Sequence, residues 1–186
     1  MKLIDLHKRE KKLIEACLKH QQKAQFDLYK KYAPAMLSLC RMYIKDLQFA
    51  EDCMSNAFVK VFGQLHSYSF QGSFEGWIKR IMIRECIDFL RKKQPLHFTH
   101  ETYVFEGNNE EDYVDFERTE EAQTIIDQLP GGYKTVFLLY EVEDYSHKEI
   151  ASFLNVSEST SKSQLFKCRK MIQDLVKQKK ISHEKK

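Results

Sequence analysis

The stretch from Tyr145 to Met171 most constrains the fold, because apolar residues recur at helical spacing on both sides of one interruption. Ser146 and Glu149 have the spacing of a capping box, which predicts a helix start. Asn155 can adopt the left-handed conformation that ends a helix, and Ser157 can cap the next helix. The stretch therefore predicts two short helices joined by a tight turn.

The second of these helices has two chemically different faces. Helical spacing predicts an inner face made of Ser161, Leu165, Cys168 and Ile172. The opposite face is polar and cationic and carries Ser159, Thr160, Lys162, Ser163, Gln164, Lys167 and Lys170. Short polar side chains near a helix start can approach base edges, as in the recognition helix of a helix-turn-helix. The alternative is a solvated face on an ordinary helical hairpin.

Helix-breaking residues are rare in the rest of the chain, which has three prolines and six glycines among 186 residues. This scarcity favours an all-α protein. Periodicity predicts further helices at about 8–19, 22–45, 46–66, 74–93, 119–128 and 133–142, and the last helix should run to about Gln178. Pro34 predicts an interruption near Ala33, with a restart that places the proline in a first turn.

Helical periodicity is lost over residues 94–117, where Gly107-Asn108-Asn109 forms a turn cluster. From Glu101 to Glu121 the chain has nine acidic residues and one basic residue. We therefore predict two helical domains, at 22–93 and 118–178, joined by a flexible acidic linker at 94–117. Residues 1–21 are an N-terminal extension and 179–186 a charged tail. Two basic regions on either side of an acidic segment suit contact with a polyanion.

The predicted helix at 46–66 carries a polar face opposite its apolar stripe. Glu51 and Asp52 lie near the helix start, followed by Ser55 and Asn56. The helix dipole favours negative charge at that position, so the pair could serve the helix alone. The functional alternative is an acidic docking surface.

Aromatic residues mark the segment that follows. Tyr68 and Phe70 stand in a predicted loop at 67–73, and Phe74 and Trp77 open the next helix. Aromatic side chains beside a basic helix can stack on exposed bases, although one or two of these four should fold inward. The helix carries the cations Lys79, Arg80, Arg84, Arg91, Lys92 and Lys93, which form either a solvated face or a track for a phosphate backbone.

Several classes of function find no support in the sequence. It has no phosphate-cradling glycine loop, nucleophile elbow or paired carboxylates in a plausible cleft, so we expect no enzyme and no cofactor. His97, His100 and Glu101 are a weak candidate metal site, because their segment lacks helical periodicity.

The five cysteines lack CxxC spacing and are predicted to be buried free thiols, with redox sensing left open. Without an apolar run of transmembrane length or a signal-peptide core, the chain is expected to be cytoplasmic.

These residues together resemble the extracytoplasmic-function (ECF) class of bacterial sigma factors. In the first domain the resemblance is carried by Phe49-Ala50-Glu51-Asp52 and by Phe74-Glu75-Gly76-Trp77-Ile78-Lys79-Arg80-Ile81. In the second it is carried by residues 129–137, 145–151 and 157–163. The chain departs from the class at Met54-Ser55-Asn56, at Arg84 and at Ser159, which bears on the docking face and on sequence preference.

The resemblance implies a protein that binds core RNA polymerase and directs it to promoters. Docking on the β′ clamp would use Glu51, Asp52, Ser55 and Asn56, and the second domain would meet the β flap. Capture of an unstacked −10 base would use Tyr68, Phe70, Gln71 and Trp77, with phosphate contacts from Lys79, Arg80, Arg84 and Arg91. Reading of the −35 element would use His147, Lys148, Ser157, Ser159, Thr160, Lys162, Ser163, Gln164 and Lys167.

The resemblance also implies a connector that threads through the polymerase toward the RNA exit path, and an anti-sigma factor that is often membrane-bound. It implies no small-molecule substrate. Two other interpretations stay open on the residues alone. One is a helix-turn-helix regulator that binds duplex DNA without polymerase, and the other is a small helical enzyme that uses His97, His100 and Glu101.

Overall fold

A computed structural model describes residues 2–93 and 120–183, and each of these ranges forms one compact helical unit. The predicted all-α class is confirmed, since no strand occurs in either range. The helices are α1 (Lys2–Leu18), α2 (Gln22–Tyr43), α3 (Leu47–Gln64), α4 (Phe74–Lys93), α5 (Glu120–Ile126), α6 (Gly131–Phe137), α7 (His147–Leu154) and α8 (Glu158–His183). The predicted linker, with His97, His100 and Glu101, lies outside the described residues.

Helices α2, α3 and α4 pack against one another in the first unit, and α1 packs on α2. The apolar stripe predicted for the third helix is confirmed, because all its members are buried: Ala50, Met54, Ala57, Phe58, Val61 and Leu65. Helix α4 begins at Phe74, as predicted, and it buries Phe74, Ile78 and Met82. Burial of these stripes fixes which faces of α3 and α4 remain in solvent.

The predicted interruption at Pro34 is wrong, because α2 is continuous from Gln22 to Tyr43 and contains Pro34. Proline removes one helical hydrogen bond, at a cost of about 3 kcal/mol in a helix interior. Here α2 buries Leu28 and Tyr32 before the proline and Met36 and Leu39 after it. Packing of one apolar face on both sides of Pro34 offsets the lost bond.

Helix α1 begins earlier than predicted, at Lys2, and it is anchored through Glu10. The Glu10 carboxylate accepts a hydrogen bond from the Tyr32 hydroxyl and pairs with the Lys31 ammonium at 2.6 Å. Burial, and then the bond to Glu10, raises the pKa of Tyr32. The N-terminal extension is thus an ordered part of the first unit over its described residues.

The second unit is built around α8, which packs on α6, α7 and α5. Helix α6 starts at Gly131, directly after Pro130, whereas the sequence placed a break there and a start at Tyr133. A π-helical turn at Leu138–Val142 follows it and carries Glu141 toward α8. Arg169 donates from Nε to Glu141 Oε1 at 2.8 Å. Helix α8 extends to His183, beyond the predicted end at Gln178.

Candidate functional site

The turn between α7 and α8 has the predicted geometry. Ser146 and Glu149 form a reciprocal capping box at the start of α7. Asn155 ends that helix in the left-handed conformation, with φ 56°. The Ser157 hydroxyl accepts a hydrogen bond from the Thr160 backbone N–H at 3.0 Å, as expected of a cap. Both predicted helices and their turn are confirmed.

Helix α8 presents a stripe of exposed or half-buried side chains at spacings of three and four residues. We call this stripe the recognition face, and it consists of Ser159, Lys162, Ser163, Phe166 and Lys170. At its start, the Ser159 hydroxyl lies 2.8 Å from that of Ser157. The face combines short hydroxyl side chains near the helix start with cations farther along, which is the chemistry that base edges and phosphates require.

Two residues that the sequence placed on this face are buried instead. Thr160 is 6% exposed and Gln164 is completely buried, so the prediction that they reach DNA is wrong for this conformation. The two residues are buried because the face of α8 that packs against other helices is wider than helical periodicity alone predicts. Both α6 and α7 pack on it, and together they cover positions that a single neighbouring helix would leave in solvent. Lys167, also predicted to contact DNA, is half-buried at the edge of the face.

His147 and Lys148 stand at the start of α7. Lys148 is exposed, in keeping with a phosphate contact. His147 is half-buried, stacks on the Tyr140 ring at a centroid distance of 4.5 Å, and contacts Ser161. The imidazole of His147 thus joins the two helices of the motif, and its contact with DNA stays a prediction.

Phe166 is a member of the recognition face that sequence reasoning missed, and it is 49% exposed. The signal was available, because Phe166 lies seven residues after Ser159 and four after Lys162. The sequence analysis placed Phe166 on neither face of the helix. An exposed phenylalanine in this position can contact the methyl group of a thymine.

The two aromatic residues of the loop between α3 and α4 differ in exposure, although their ring centroids lie 5.0 Å apart. The Tyr68 ring is buried against Phe74 and Trp77, with centroid distances of 4.9 and 5.6 Å, and its hydroxyl donates to the Gly72 carbonyl at 2.9 Å. Tyr68 therefore supports the loop, which corrects the expectation that it contacts a base. Phe70 is 43% exposed and has φ 58°. A phenylalanine in the left-handed region is strained, and such strain often accompanies function.

The exposed Phe70 ring has a neighbour from the N-terminal extension. Lys11 Nζ on α1 lies 5.5 Å from the centroid of the Phe70 ring. Helix α1 also packs against the 3-10 turn at Leu65–Ser67 that leads into the loop. Sequence reasoning missed Lys11 because nothing in its local pattern distinguishes it from the other lysines of α1.

Helix α4 carries cations along one side. Trp77, Arg80, Arg84 and Arg91 fall on one face because their spacings of three, four and seven residues approach whole turns. The three arginines are exposed and Trp77 is half-buried. Lys79 lies off this face, and its ammonium is 4.0 Å from the Glu75 carboxylate. We call Trp77, Arg80, Arg84 and Arg91 the basic face.

Helix α3 carries the predicted polar face. Asp46 caps the helix by accepting from the Phe49 backbone N–H at 3.0 Å. We call the exposed residues beyond the cap the acidic face, and they are Glu51, Asp52, Ser55, Asn56 and Val59. The Val59 side chain is 72% exposed, so the acidic face includes one solvent-exposed apolar residue among its polar side chains.

Within the described residues, none of the helices has the length and apolar character needed to cross a membrane.

Comparison with known proteins gives a consistent result for both units. Residues 28–95 match the family model described as Sigma-70 region 2, and residues 119–172 match Sigma-70, region 4. The chain is 28% identical over 182 residues to the ECF RNA polymerase sigma factor SigW of Bacillus subtilis, a match that covers 89% of this chain and 97% of SigW.

Two solved structures are similar in fold. One is CnrH in complex with the cytosolic domain of CnrY, with a TM-score of 0.51, 16% identity, and coverage of 89% of this chain and 95% of the other. The second is sigma factor RpoE in complex with the anti-sigma factor NepR from Bartonella quintana, with a TM-score of 0.54 and 17% identity. That match covers 81% of this chain and 97% of the other.

Proposed function

The chain belongs to the ECF sigma factors of the sigma-70 family, and we infer from this membership that it binds core RNA polymerase and directs it to promoters. The observation that carries the inference is the presence of both family regions in one chain, in the order region 2 and region 4. A regulator that binds duplex DNA alone needs only a helix-turn-helix. Such a regulator does not require the strained aromatic loop and the basic face that the first unit carries.

We propose that the acidic face docks on the β′ clamp of the polymerase. Its carboxylates Glu51 and Asp52 are exposed, and the apolar Val59 lies on the same side of α3. An interface of this kind combines a desolvated apolar contact with a polar rim that sets orientation. The second unit would contact the β flap.

Promoter opening is assigned to the loop and the basic face. Phe70 would stack on a base that leaves the −10 duplex, while Arg80, Arg84 and Arg91 would hold the phosphate backbone beside it. Base flipping costs a few kcal/mol, and stacking on an aromatic ring offsets about 1–3 kcal/mol of that cost. The Tyr68 hydrogen bond to Gly72 supports this role, because it holds the loop that presents Phe70.

The recognition face of α8 is assigned to the −35 element. Ser159, Ser163 and Phe166 would approach base edges, and Lys162, Lys167 and Lys148 would contact phosphates. Ser157 belongs to the cap of this helix, so its hydroxyl positions Ser159. This division assigns sequence preference to three short or apolar side chains and most of the affinity to lysines.

The remaining parts of the proposal concern partners and location. The two solved structures of similar fold are complexes with CnrY and with the anti-sigma factor NepR, and we propose that an anti-sigma factor also regulates this chain. The protein would act in the cytoplasm, where polymerase and promoters are found. It would supply binding and promoter recognition without a catalytic activity of its own.

Gel filtration with purified bacterial core RNA polymerase tests the proposal. Co-elution of this chain with the polymerase at equal stoichiometry is the expected result. If the chain elutes apart from polymerase and binds a duplex DNA site tightly as a free dimer, the proposal is wrong. The chain would then be a regulator that acts without polymerase.

A further inference from the structure

The core of the first unit holds three cysteine thiols at one point. Cys40 comes from α2, Cys53 from α3 and Cys86 from α4, so each of the three packed helices contributes one sulfur. All three residues are buried. The two other cysteines of the chain, Cys17 and Cys168, are also buried and do not belong to this cluster.

The three sulfur atoms converge as metal ligands do. All Sγ atoms lie within 4.8 Å of one another, and those of Cys53 and Cys86 are 3.6 Å apart. Three sulfurs that surround a metal ion in one plane, at bond lengths of about 2.3 Å, are separated by about 4 Å. The observed separations fit this triangle with small side-chain movements and no change in the helices.

We propose that Cys40, Cys53 and Cys86 form a binding site for one copper(I) ion, held by three sulfurs. Soft thiolate ligands favour copper(I), whereas structural zinc sites almost always have four protein ligands. Within the part of the chain that the structure describes, the cluster contains no fourth histidine, cysteine or carboxylate ligand. The nearby Glu85 carboxylate is engaged by the Lys60 ammonium.

Formation of the site requires ligand exchange alone. Each copper–sulfur bond that forms displaces the proton of one thiol, so copper remains in its +1 state and nothing is oxidised.

Occupancy of this site would tie α2, α3 and α4 together. A ligand that binds the folded chain and not the unfolded chain stabilises the fold. The acidic face lies on α3 and the basic face on α4, so copper would stiffen the unit that carries both. The inference rests on the thiol cluster alone and stands whether or not the proposed function is correct.

The full chain, reduced and handled without oxygen, is titrated with copper(I) in competition with a chromophoric copper(I) chelator. One equivalent of copper should pass to the protein, with a sulfur-to-copper charge-transfer band and a rise of several degrees in melting temperature. Cys40→Ala, Cys53→Ala and Cys86→Ala should each lower the affinity at least tenfold. The matched controls Cys17→Ala and Cys168→Ala, each at a buried thiol outside the cluster, should bind like the unsubstituted chain.

X-ray absorption on the copper-loaded unsubstituted protein keeps the test valid if a variant fails to fold. Three sulfur neighbours and no nitrogen or oxygen neighbour are expected. Failure of the protein to take copper from the chelator would overturn the proposal, as would equal losses in the Cys17→Ala and Cys168→Ala controls. So would a four-coordinate zinc site that excludes copper in a competition experiment.

Discussion

His147 Nδ1 lies 2.9 Å from the Ser161 hydroxyl, a contact that joins the first residue of α7 to the first turns of α8. The imidazole ring also stacks on Tyr140. Burial lowers the pKa of His147, and the Lys162 and Arg169 cations lower it further. A neutral histidine thus helps to set the angle between the two helices of the DNA-binding motif.

This depressed pKa predicts a pH dependence of stability. An unfolded histidine titrates near pH 6.5, and the folded His147 resists protonation below that value. The unfolded state therefore binds more protons over this interval, so the stability of the second unit should fall as the pH decreases from about 6.5 through the folded pKa. Chemical denaturation at pH 7.5 and 5.5 measures the loss, which His147→Gln should reduce.

The exposed His66→Gln variant is the control and should keep the full pH dependence. Identical pH profiles for His147→Gln and the unsubstituted chain would refute the assignment.

Phosphate contacts from α8 predict a change in salt dependence. Lys162→Ala combined with Lys167→Ala should weaken promoter binding by the polymerase complex and reduce the slope of log K against log salt concentration by about 0.9 per lost contact. Binding is measured across a salt series by fluorescence anisotropy. Lys177→Ala, at an exposed lysine farther along α8, is the matched control and should leave the slope unchanged. An unaltered slope in the double variant would show that neither lysine touches phosphate.

Base capture by Phe70 predicts a defect in opening and none in assembly. Phe70→Ala should retain polymerase binding and slow open-complex formation between about 5-fold and about 150-fold, since base stacking contributes about 1–3 kcal/mol. Permanganate footprinting of unpaired thymines follows the opening. Phe70→Tyr keeps an aromatic ring and should open the promoter at close to the normal rate. A normal rate for Phe70→Ala would move the capture role to another residue of the loop.

The acidic face predicts a polymerase-binding defect on charge reversal. Glu51→Lys combined with Asp52→Lys should weaken core polymerase binding at least tenfold, about 1.4 kcal/mol, because the two carboxylates proposed to set the docking orientation are replaced by opposite charges. Surface plasmon resonance with immobilised core enzyme provides the measurement. Glu15→Lys combined with Asp27→Lys reverses two exposed charges elsewhere in the same unit and should bind normally. Equal losses in the two double variants would indicate a non-specific electrostatic effect.

Local patterns in the sequence were sufficient to predict much of this fold. The apolar stripes located α3 and α4, and the capping signals of Ser146 and Asn155 located both helices of the DNA-binding motif. The prediction at Pro34 failed because proline disrupts a helix locally, whereas packing on both sides of the residue decides whether the helix continues.

The candidate site was harder to predict because its geometry depends on which helices meet. Thr160 and Gln164 are buried on a helix that packs against both α6 and α7, and the periodicity of α8 alone does not show how wide its buried face is. The cysteines at 40, 53 and 86 are far apart in sequence and lack a ligand-spacing motif. Their convergence follows from three-helix packing alone.

Transcription in vitro on genomic DNA tests whether this chain directs core RNA polymerase to promoters. Core RNA polymerase is incubated with and without this chain, and the 5′ ends of the transcripts are sequenced. New start sites are expected that appear only with the protein and that share sequence elements near −10 and −35. A transcript profile identical to that of core polymerase alone, obtained with folded protein, would contradict the proposed function.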